Sequence, residues 1–267
     1  MTMLWTVQAR GTERTALIHT EDVTSLLARA NARSCFPELG FSDPDAEELL
    51  SRLEIETTSV DDWKLRCALL TTMAIDGVAR HFFERHPEGI AVALQPGLCS
   101  RFCRIDNGLL HWIDVDPPSV AGLKCAVMPT PSRHVVVSAC SLACCKWLDA
   151  ISTAVDAPLL FIQQGSSRTA DQFPFLLDQL VRKAPAGTEF VLDYDARLPL
   201  RPSRALSRGA CLELLDGDGC AARYPRMRFV SENEYSEPLK WELDGLNALS
   251  RLFDGREVPS IAHLRFT

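Results

Sequence analysis

Short apolar runs alternate with helical patterns along the middle of the chain. Five runs of apolar and β-branched residues, each five or six residues long, are typical of buried strands. They cover residues 90–94, 111–115, 134–139, 158–163 and 189–193. Strands that alternate with helices form a mostly parallel sheet with helices on both faces. The pattern therefore predicts an α/β fold.

Helical periodicity fills the segments before and between these strands. The predicted helices cover residues 21–33, 44–54, 61–85, 146–154 and 170–184. The second helix has a start signal, because Asp43 stands at the N-cap and Pro44 at the first helical position. Beyond residue 195 the pattern breaks, and we expect one more helix at 241–253 and a final strand at 261–266. The predicted domains are a helical cap (1–60), a core (61–195) and a segment completing the same domain (196–267).

Residues 90–116 carry the clearest functional pattern. A buried strand leads into a loop that contains Gly97, and a second strand ends in Asp116. A tight loop after one strand and an acid at the tip of the next, about 20 residues on, is how α/β sheets bind nucleotides. The glycine spacing is not GxGxxG, so hydride transfer is not the first interpretation. We place Asp114 on the opposite strand face from Asp116 and expect a structural or solvated acid.

Four segments resemble one known family. They are HPEGIAVALQPGLCSRFCRIDNGLLHWIDVDPP (86–118), FSDPDAEELLSRLEIE (41–56), RHVVVSACSLACCKWLDAI (133–151) and PLLFIQQGSSRTADQFPFLLDQLVRKAPAGTEFVLDY (158–194). Their sequences are similar to those of leucine carboxyl methyltransferases and the related tetracenomycin-type polyketide O-methyltransferases. The likeness covers roughly residues 38–195. It implies a Rossmann-like class I methyltransferase fold, with seven mostly parallel strands, an antiparallel last strand and a lid over the acceptor site.

The resemblance also implies S-adenosylmethionine as the cofactor. Asp116 would accept hydrogen bonds from the ribose, Ser141 would adjoin the adenine, and Arg66 or Arg80 would pair with the cofactor carboxylate. The loop glycine would be Gly97. The cofactor-binding positions expected by this correspondence are Arg66, Gln95, Gly97, Asp116, Ser141 and Gln164. The acceptor pocket would come from residues 1–35 and 197–240, and the acceptor would be a small specialised-metabolite intermediate that carries a carboxylate or hydroxyl.

Five positions that would face the cofactor differ from the family's sequence pattern. Thr71 replaces an arginine, Gln95 a glycine, Cys99 an aspartate, Gln164 an acid and Thr169 a tyrosine. Three interpretations remain open: an S-adenosylmethionine-dependent O-methyltransferase, a degenerate partner subunit of a biosynthetic enzyme, or a repurposed enzyme of the same fold. Methyl transfer to an ionised carboxylate needs proximity and geometry more than a general base. The lack of a Ser/His/Asp pattern therefore does not argue against an enzyme.

Composition and charge indicate which classes of partner to expect. The net charge of −7 and the pI near 5.4 disfavour a nucleic-acid groove. The sequence contains no apolar stretch of about 18 residues, so no membrane span is predicted. The first residues do not resemble a secretion signal, and we therefore expect a cytoplasmic protein. The ten cysteines form no zinc-like spacing and are expected to be reduced, mostly buried small hydrophobes. The expected partners are a small-molecule acceptor and either a partner protein or a second copy.

Overall fold

A computed structural model of the chain describes residues 4–55, 60–128, 130–142, 146–154, 157–165, 173–194, 224–230 and 260–267. The N-terminal part contains a small antiparallel sheet of three strands in the order β2-β1-β3. Its elements are β1 (Leu4–Ala9), β2 (Thr15–His19), α1 (Thr20–Ala30), α2 (Ala32–Cys35), α3 (Pro44–Ser51) and β3 (Leu53–Ile55). The segment expected to be a helical cap therefore also contains strands. The three domain boundaries stay a prediction.

The main sheet follows. Its elements are α4 (Asp62–Arg85), β4 (Ile90–Leu94), α5 (Arg101–Ile105), β5 (His111–Asp116), α6 (Pro118–Val127), β6 (His134–Ser138), α7 (Lys146–Ala154), β7 (Leu159–Gln163), α8 (Phe173–Lys183), β8 (Glu189–Tyr194), β9 (Met227–Phe229) and β10 (Ser260–Phe266). All five strands predicted from the apolar runs are confirmed, as is the final strand. The helix expected at 241–253 lies outside the described residues.

The strand order of the main sheet is β6-β5-β4-β7-β8-β10-β9. The first five strands pair in parallel. β10 runs antiparallel to both of its neighbours, β8 and β9. A seven-stranded, mostly parallel sheet whose last strand is antiparallel confirms the α/β class I methyltransferase fold expected from the resemblance.

Both faces of the central strand β4 are buried, which explains its uninterrupted apolar run. Val92 and Leu94 of β4 join one apolar core with residues of α7 and α8. Ala91 and Ala93 point the other way and pack with Phe82 of α4 in a second core. None of the helices within the described residues is both long and apolar enough to span a membrane.

Two N-terminal predictions needed correction. The helix expected over 21–33 is broken at Asn31 into α1 and α2, and the one expected over 44–54 ends at Ser51. Leu53 then joins β3, where it is buried against the small sheet. The start signal at Asp43 is confirmed, because its carboxylate accepts a 3.0 Å hydrogen bond from the Ala46 N–H.

Candidate functional site

The site lies at the carboxyl ends of β4, β5 and β7. β4 is flanked by β5 on one side and β7 on the other, so the strand order reverses beside it. Ligands of open α/β sheets bind in the crevice outside the strand ends at such a reversal. The loops that begin at Gln95 and Gln164 leave the sheet there. The fold therefore brings the two predicted loops to one place.

The loop after β4 contains two left-handed residues. Gly97 has a φ of 58° and Gln95 a φ of 49°, which is unusual for a residue with a side chain. The Gln95 N–H donates to the Val115 carbonyl over 2.8 Å, and the Gly97 N–H donates to Asp116 Oδ1 over 3.0 Å. The loop is thus hydrogen-bonded to the end of β5. Gln95 keeps the backbone conformation that a glycine would adopt easily.

Gly97 also allows a close approach from α1. A Cβ atom added at Gly97 would lie 2.7 Å from Cγ of Asp22, and 2.9 and 3.1 Å from its two carboxylate oxygens. A contact under about 3 Å cannot be accommodated unless something moves, so a side chain at this position would displace Asp22 or the loop. α1 therefore brings a carboxylate against the predicted cofactor loop.

Asp116 belongs to a buried cluster beneath that loop. Lys124 of α6 donates to Asp114 Oδ2 over 2.8 Å and to Asp116 Oδ2 over 2.9 Å. Asp114 also accepts a hydrogen bond from Trp112 Nε1 and contacts His134 Nε2 at 2.8 Å. The predicted opposite orientation of the two aspartates is wrong, because residues two apart on a strand share a face. The structural role predicted for Asp114 fits these contacts.

The buried cluster shifts the pKa values of the two aspartates in opposite directions. Burial alone would raise the pKa of Asp114, but Lys124 and His134 bring that pKa down to about 2. The pKa of Asp116 is raised, chiefly by burial and further by the neighbouring Asp114. Burial would lower the pKa of Lys124, but the two carboxylates raise it. Lys124 therefore stays charged and holds both carboxylates in place.

A second network joins the loops after β4 and β7. Arg101 donates to Asp76 Oδ1 and to Gln164 Oε1, each over 2.6 Å. The Gln164 amide donates in turn to Thr72 Oγ1 over 3.0 Å. Arg104 also binds Asp76, over 2.7 Å. Gln164, expected to contact the cofactor, is thus hydrogen-bonded to α4 and α5, and its cofactor role stays a prediction.

Asp43 extends the network to the N-terminal part. It pairs with Arg104 and with Arg29, whose Nε lies 3.1 Å from Asp43 Oδ2. Arg29 also donates to the Leu98 carbonyl over 2.7 Å. Ser100 completes the group with a 2.7 Å hydrogen bond to Asp43. The cap residue of α3 therefore also connects α1 to the loop after β4.

Two groups in this network have a lowered pKa. Burial would raise the pKa of Asp76, but Arg104 and Arg101 lower it to about 2. Burial also opposes ionisation of the Cys99 thiol, yet Arg101, Arg29 and Arg104 lower its pKa overall. Cys99 replaces the family's aspartate, and this electropositive setting favours an anion at that position as well.

The other predicted site residues have the following surroundings. Arg66 is paired with Glu38 and lies 4.9 Å above the Phe36 ring, so its pairing with the cofactor stays a prediction. Thr71 is buried, and its hydroxyl has no hydrogen-bond partner among the described residues. Ser141 follows β6, next to the strand that carries Asp116, and its adenine contact also stays a prediction. Thr169 lies outside the described residues.

The cysteines are free where the structure describes them, but they are not mostly buried. Cys67 and Cys99 are buried. The other four described cysteines, namely Cys35, Cys103, Cys125 and Cys140, are exposed. The expectation of burial is therefore wrong for these four positions.

Sequence reasoning missed the polar residues that hold the site together. Lys124, Arg29, Arg101 and Asp76 are all buried and all charged. A buried charge needs a partner, and several of these partners are 25 or more positions away in the chain. Lys124 had a local signal: a lysine in the apolar helix that directly follows Asp114 and Asp116.

Comparisons with known proteins place the chain in a family. It is 31% identical over 192 residues to the tetracenomycin polyketide synthesis O-methyltransferase TcmP of Streptomyces glaucescens, covering 68% of this chain and 67% of that protein. Its fold is similar to that of a DUF574 family protein from Streptomyces avermitilis, with a TM-score of 0.50, 12% identity, and coverage of 91% of this chain and 100% of the other. No family model matches. On the identity and coverage shared with TcmP, the chain belongs to the tetracenomycin-type polyketide O-methyltransferase family.

Proposed function

We propose that this protein is an S-adenosylmethionine-dependent O-methyltransferase. We propose further that its acceptor is a carboxylate or hydroxyl of a small specialised-metabolite intermediate. The observation that carries the proposal is the 3.0 Å hydrogen bond from the Gly97 N–H to Asp116, in a chain of this family. It joins the glycine loop and the acid at the strand tip, the two elements with which α/β sheets hold a nucleoside.

The residues at this edge of the sheet fit the cofactor. A side chain at Gly97 would clash with Asp22. Because this position is glycine, the loop backbone tolerates such a close neighbour. Each oxygen of a carboxylate has two acceptor positions. Asp116 accepts one hydrogen bond per oxygen, from Gly97 and from Lys124, and therefore keeps acceptor capacity for the ribose hydroxyls.

The protein's own part in the reaction is binding and orientation. When bound, S-adenosylmethionine supplies an electrophilic methyl group. Asp116 would fix the ribose, and Lys124 would prevent that carboxylate from turning away. An acceptor carboxylate is ionised near neutral pH, so its methylation requires alignment of the two reactants rather than a base.

The altered loop positions are compatible with a working site. Gln95 has the left-handed φ of 49° that a glycine adopts easily, so the substitution leaves the course of the backbone glycine-like. Gln164 accepts from Arg101 through an amide oxygen, as a carboxylate would. These two observations favour an enzyme over a degenerate partner subunit.

Binding of the cofactor tests the proposal. In isothermal titration the wild type should bind S-adenosylmethionine and S-adenosylhomocysteine, each titrated separately. Asp116→Asn should weaken both by about tenfold or more, because hydrogen bonds to a charged group contribute roughly 1.5–3 kcal/mol. The matched control is Asp106→Asn, an exposed loop aspartate before the amino end of β5, which should bind normally.

The partner-subunit interpretation makes a different prediction. Such a protein would bind neither compound, would be inactive alone and would co-purify with a second biosynthetic protein. A cytoplasmic enzyme that acts on a small molecule, by contrast, should methylate its acceptor as the isolated chain. If the wild type binds neither compound, the partner-subunit interpretation therefore replaces the enzyme proposal.

A further inference from the structure

The contact between α1 and the loop at Gly97 involves the Asp22 carboxylate, which has no role in the proposed reaction so far. Asp22 is partly buried, and its carboxylate lies directly over Gly97. Asp116 accepts a hydrogen bond from the N–H of the same glycine. Two carboxylates from distant parts of the chain therefore meet at one loop residue.

Asp22 is held in that position by the rest of its helix. Two turns further along α1, Arg29 donates to the Leu98 carbonyl over 2.7 Å and is buried. Val23 and Leu26 of α1 pack with Leu98 in the same apolar core. Because α1 is bound to the loop at Leu98 by both polar and apolar contacts, Asp22 stays beside whatever the loop binds.

The chemistry of the cofactor decides which of its groups suits a fixed carboxylate. The ribose offers neutral hydroxyls, and the adenine is neutral near pH 7. The amino-acid end carries an ammonium group, which gives a charge-assisted hydrogen bond to a carboxylate, about twice as strong as a neutral one. With Asp116 serving the ribose, the second carboxylate at Gly97 suits the ammonium group.

We propose that Asp22 binds the ammonium group of the cofactor's amino-acid end, so that α1 supplies part of the cofactor site. This inference rests on the proposed function, since it requires that the Gly97 loop binds S-adenosylmethionine. It assigns to the N-terminal part a direct role in cofactor recognition. It also accounts for Gly97, because any side chain there would push the Asp22 carboxylate off the loop.

Two probes separate this role from a general effect on the site. S-adenosylhomocysteine carries the ammonium group but not the sulfonium charge. 5′-Methylthioadenosine has the same adenosine and a thioether but lacks the amino-acid end. Isothermal titration of both compounds into the wild type and Asp22→Asn therefore isolates the contact of Asp22 with the amino-acid end.

Asp22→Asn should weaken S-adenosylhomocysteine by about tenfold to a hundredfold, as expected for a lost charge-assisted hydrogen bond. Binding of 5′-methylthioadenosine should stay at the wild-type level. Asp22→Glu, which keeps the charge, should bind S-adenosylhomocysteine better than Asp22→Asn does. The matched control is Glu21→Gln, the exposed neighbouring carboxylate on α1, which should bind both compounds like the wild type. Equal thermal midpoints would show that the variants fold.

Three results would overturn the inference. Equal weakening of both compounds in Asp22→Asn would mean that Asp22 only shapes the loop. Tighter binding of S-adenosylhomocysteine would mean that the carboxylate competes with the cofactor. Unchanged binding of both would remove Asp22 from the site while leaving the proposed function intact, whereas a wild type that binds neither compound would refute the proposed function itself.

Discussion

At the residue scale, the loop after β4 combines a retained backbone with changed side chains. Gln95 is the one residue other than glycine with a positive φ among the described residues. A left-handed conformation costs an ordinary residue about 1–2 kcal/mol. The hydrogen bond from its N–H to Val115 holds it there nonetheless. The sequence comparison identified Gln95 as unusual, but only the structure shows that the strain is borne by the backbone.

Replacing Gln95 by glycine should therefore stabilise the protein. Relief of strain is partly offset by the greater freedom of glycine in the unfolded chain, which costs about 0.4–1 kcal/mol. We expect a net gain of up to about 1 kcal/mol in the free energy of unfolding by urea, with cofactor affinity unchanged or modestly improved. Gln8→Gly in β1 is the matched control and should destabilise, since glycine weakens strands. A destabilised Gln95→Gly would show that the Gln95 side chain contributes more than its strain costs.

At the scale of elements, the sheet was predictable and the polar network was not. The apolar runs of β4 and β7 are recognisable in the sequence because both faces of those strands are buried. β1 and β2 were missed because outward residues such as Leu4 and Leu17 are apolar too, which obscures the alternation. The ion pairs of Asp43 and Asp76 join α1, α3, α4 and α5. No local pattern reveals a partner so far away in the chain.

That network should make stability depend on pH. The folded pKa of Asp76 is about 2, below its ordinary value of 3.8, so its contribution is present above the ordinary pKa and is lost as the pH falls towards 2. For a fully buried group this shift corresponds to about 2 kcal/mol. We expect the urea midpoint of the wild type to fall between neutral pH and about pH 3.

Asp76→Asn separates this effect from general acid sensitivity. At neutral pH it should destabilise by about 3–5 kcal/mol, because Arg101 and Arg104 lose a buried counter-charge. Its urea midpoint should then depend less on pH than that of the wild type. Glu88→Gln, an exposed carboxylate before β4, should keep the wild-type dependence. An Asp76→Asn variant as acid-sensitive as the wild type would show that other carboxylates dominate.

At the scale of the whole molecule, the N-terminal part and the main sheet meet at the loop after β4. Val7 and Ile18 of the small sheet share one apolar core with Leu98 and with Leu123 of α6. Arg29 and Asp22 add polar contacts to the same loop. The family resemblance predicted the main sheet correctly, and the cofactor role of the loop after β4 stays a prediction. The resemblance could not predict that α1 forms part of the loop's surroundings, because that arrangement depends on contacts between distant segments.

The structure of a complex with S-adenosylhomocysteine tests the account most directly. We expect the ribose hydroxyls to lie within hydrogen-bond distance of Asp116, and the amino-acid end to lie over Gly97 with its ammonium group on Asp22. S-adenosylhomocysteine bound away from the carboxyl ends of β4 and β5, with Asp116 contacting only Gly97 and Lys124, would contradict the assignment of this site.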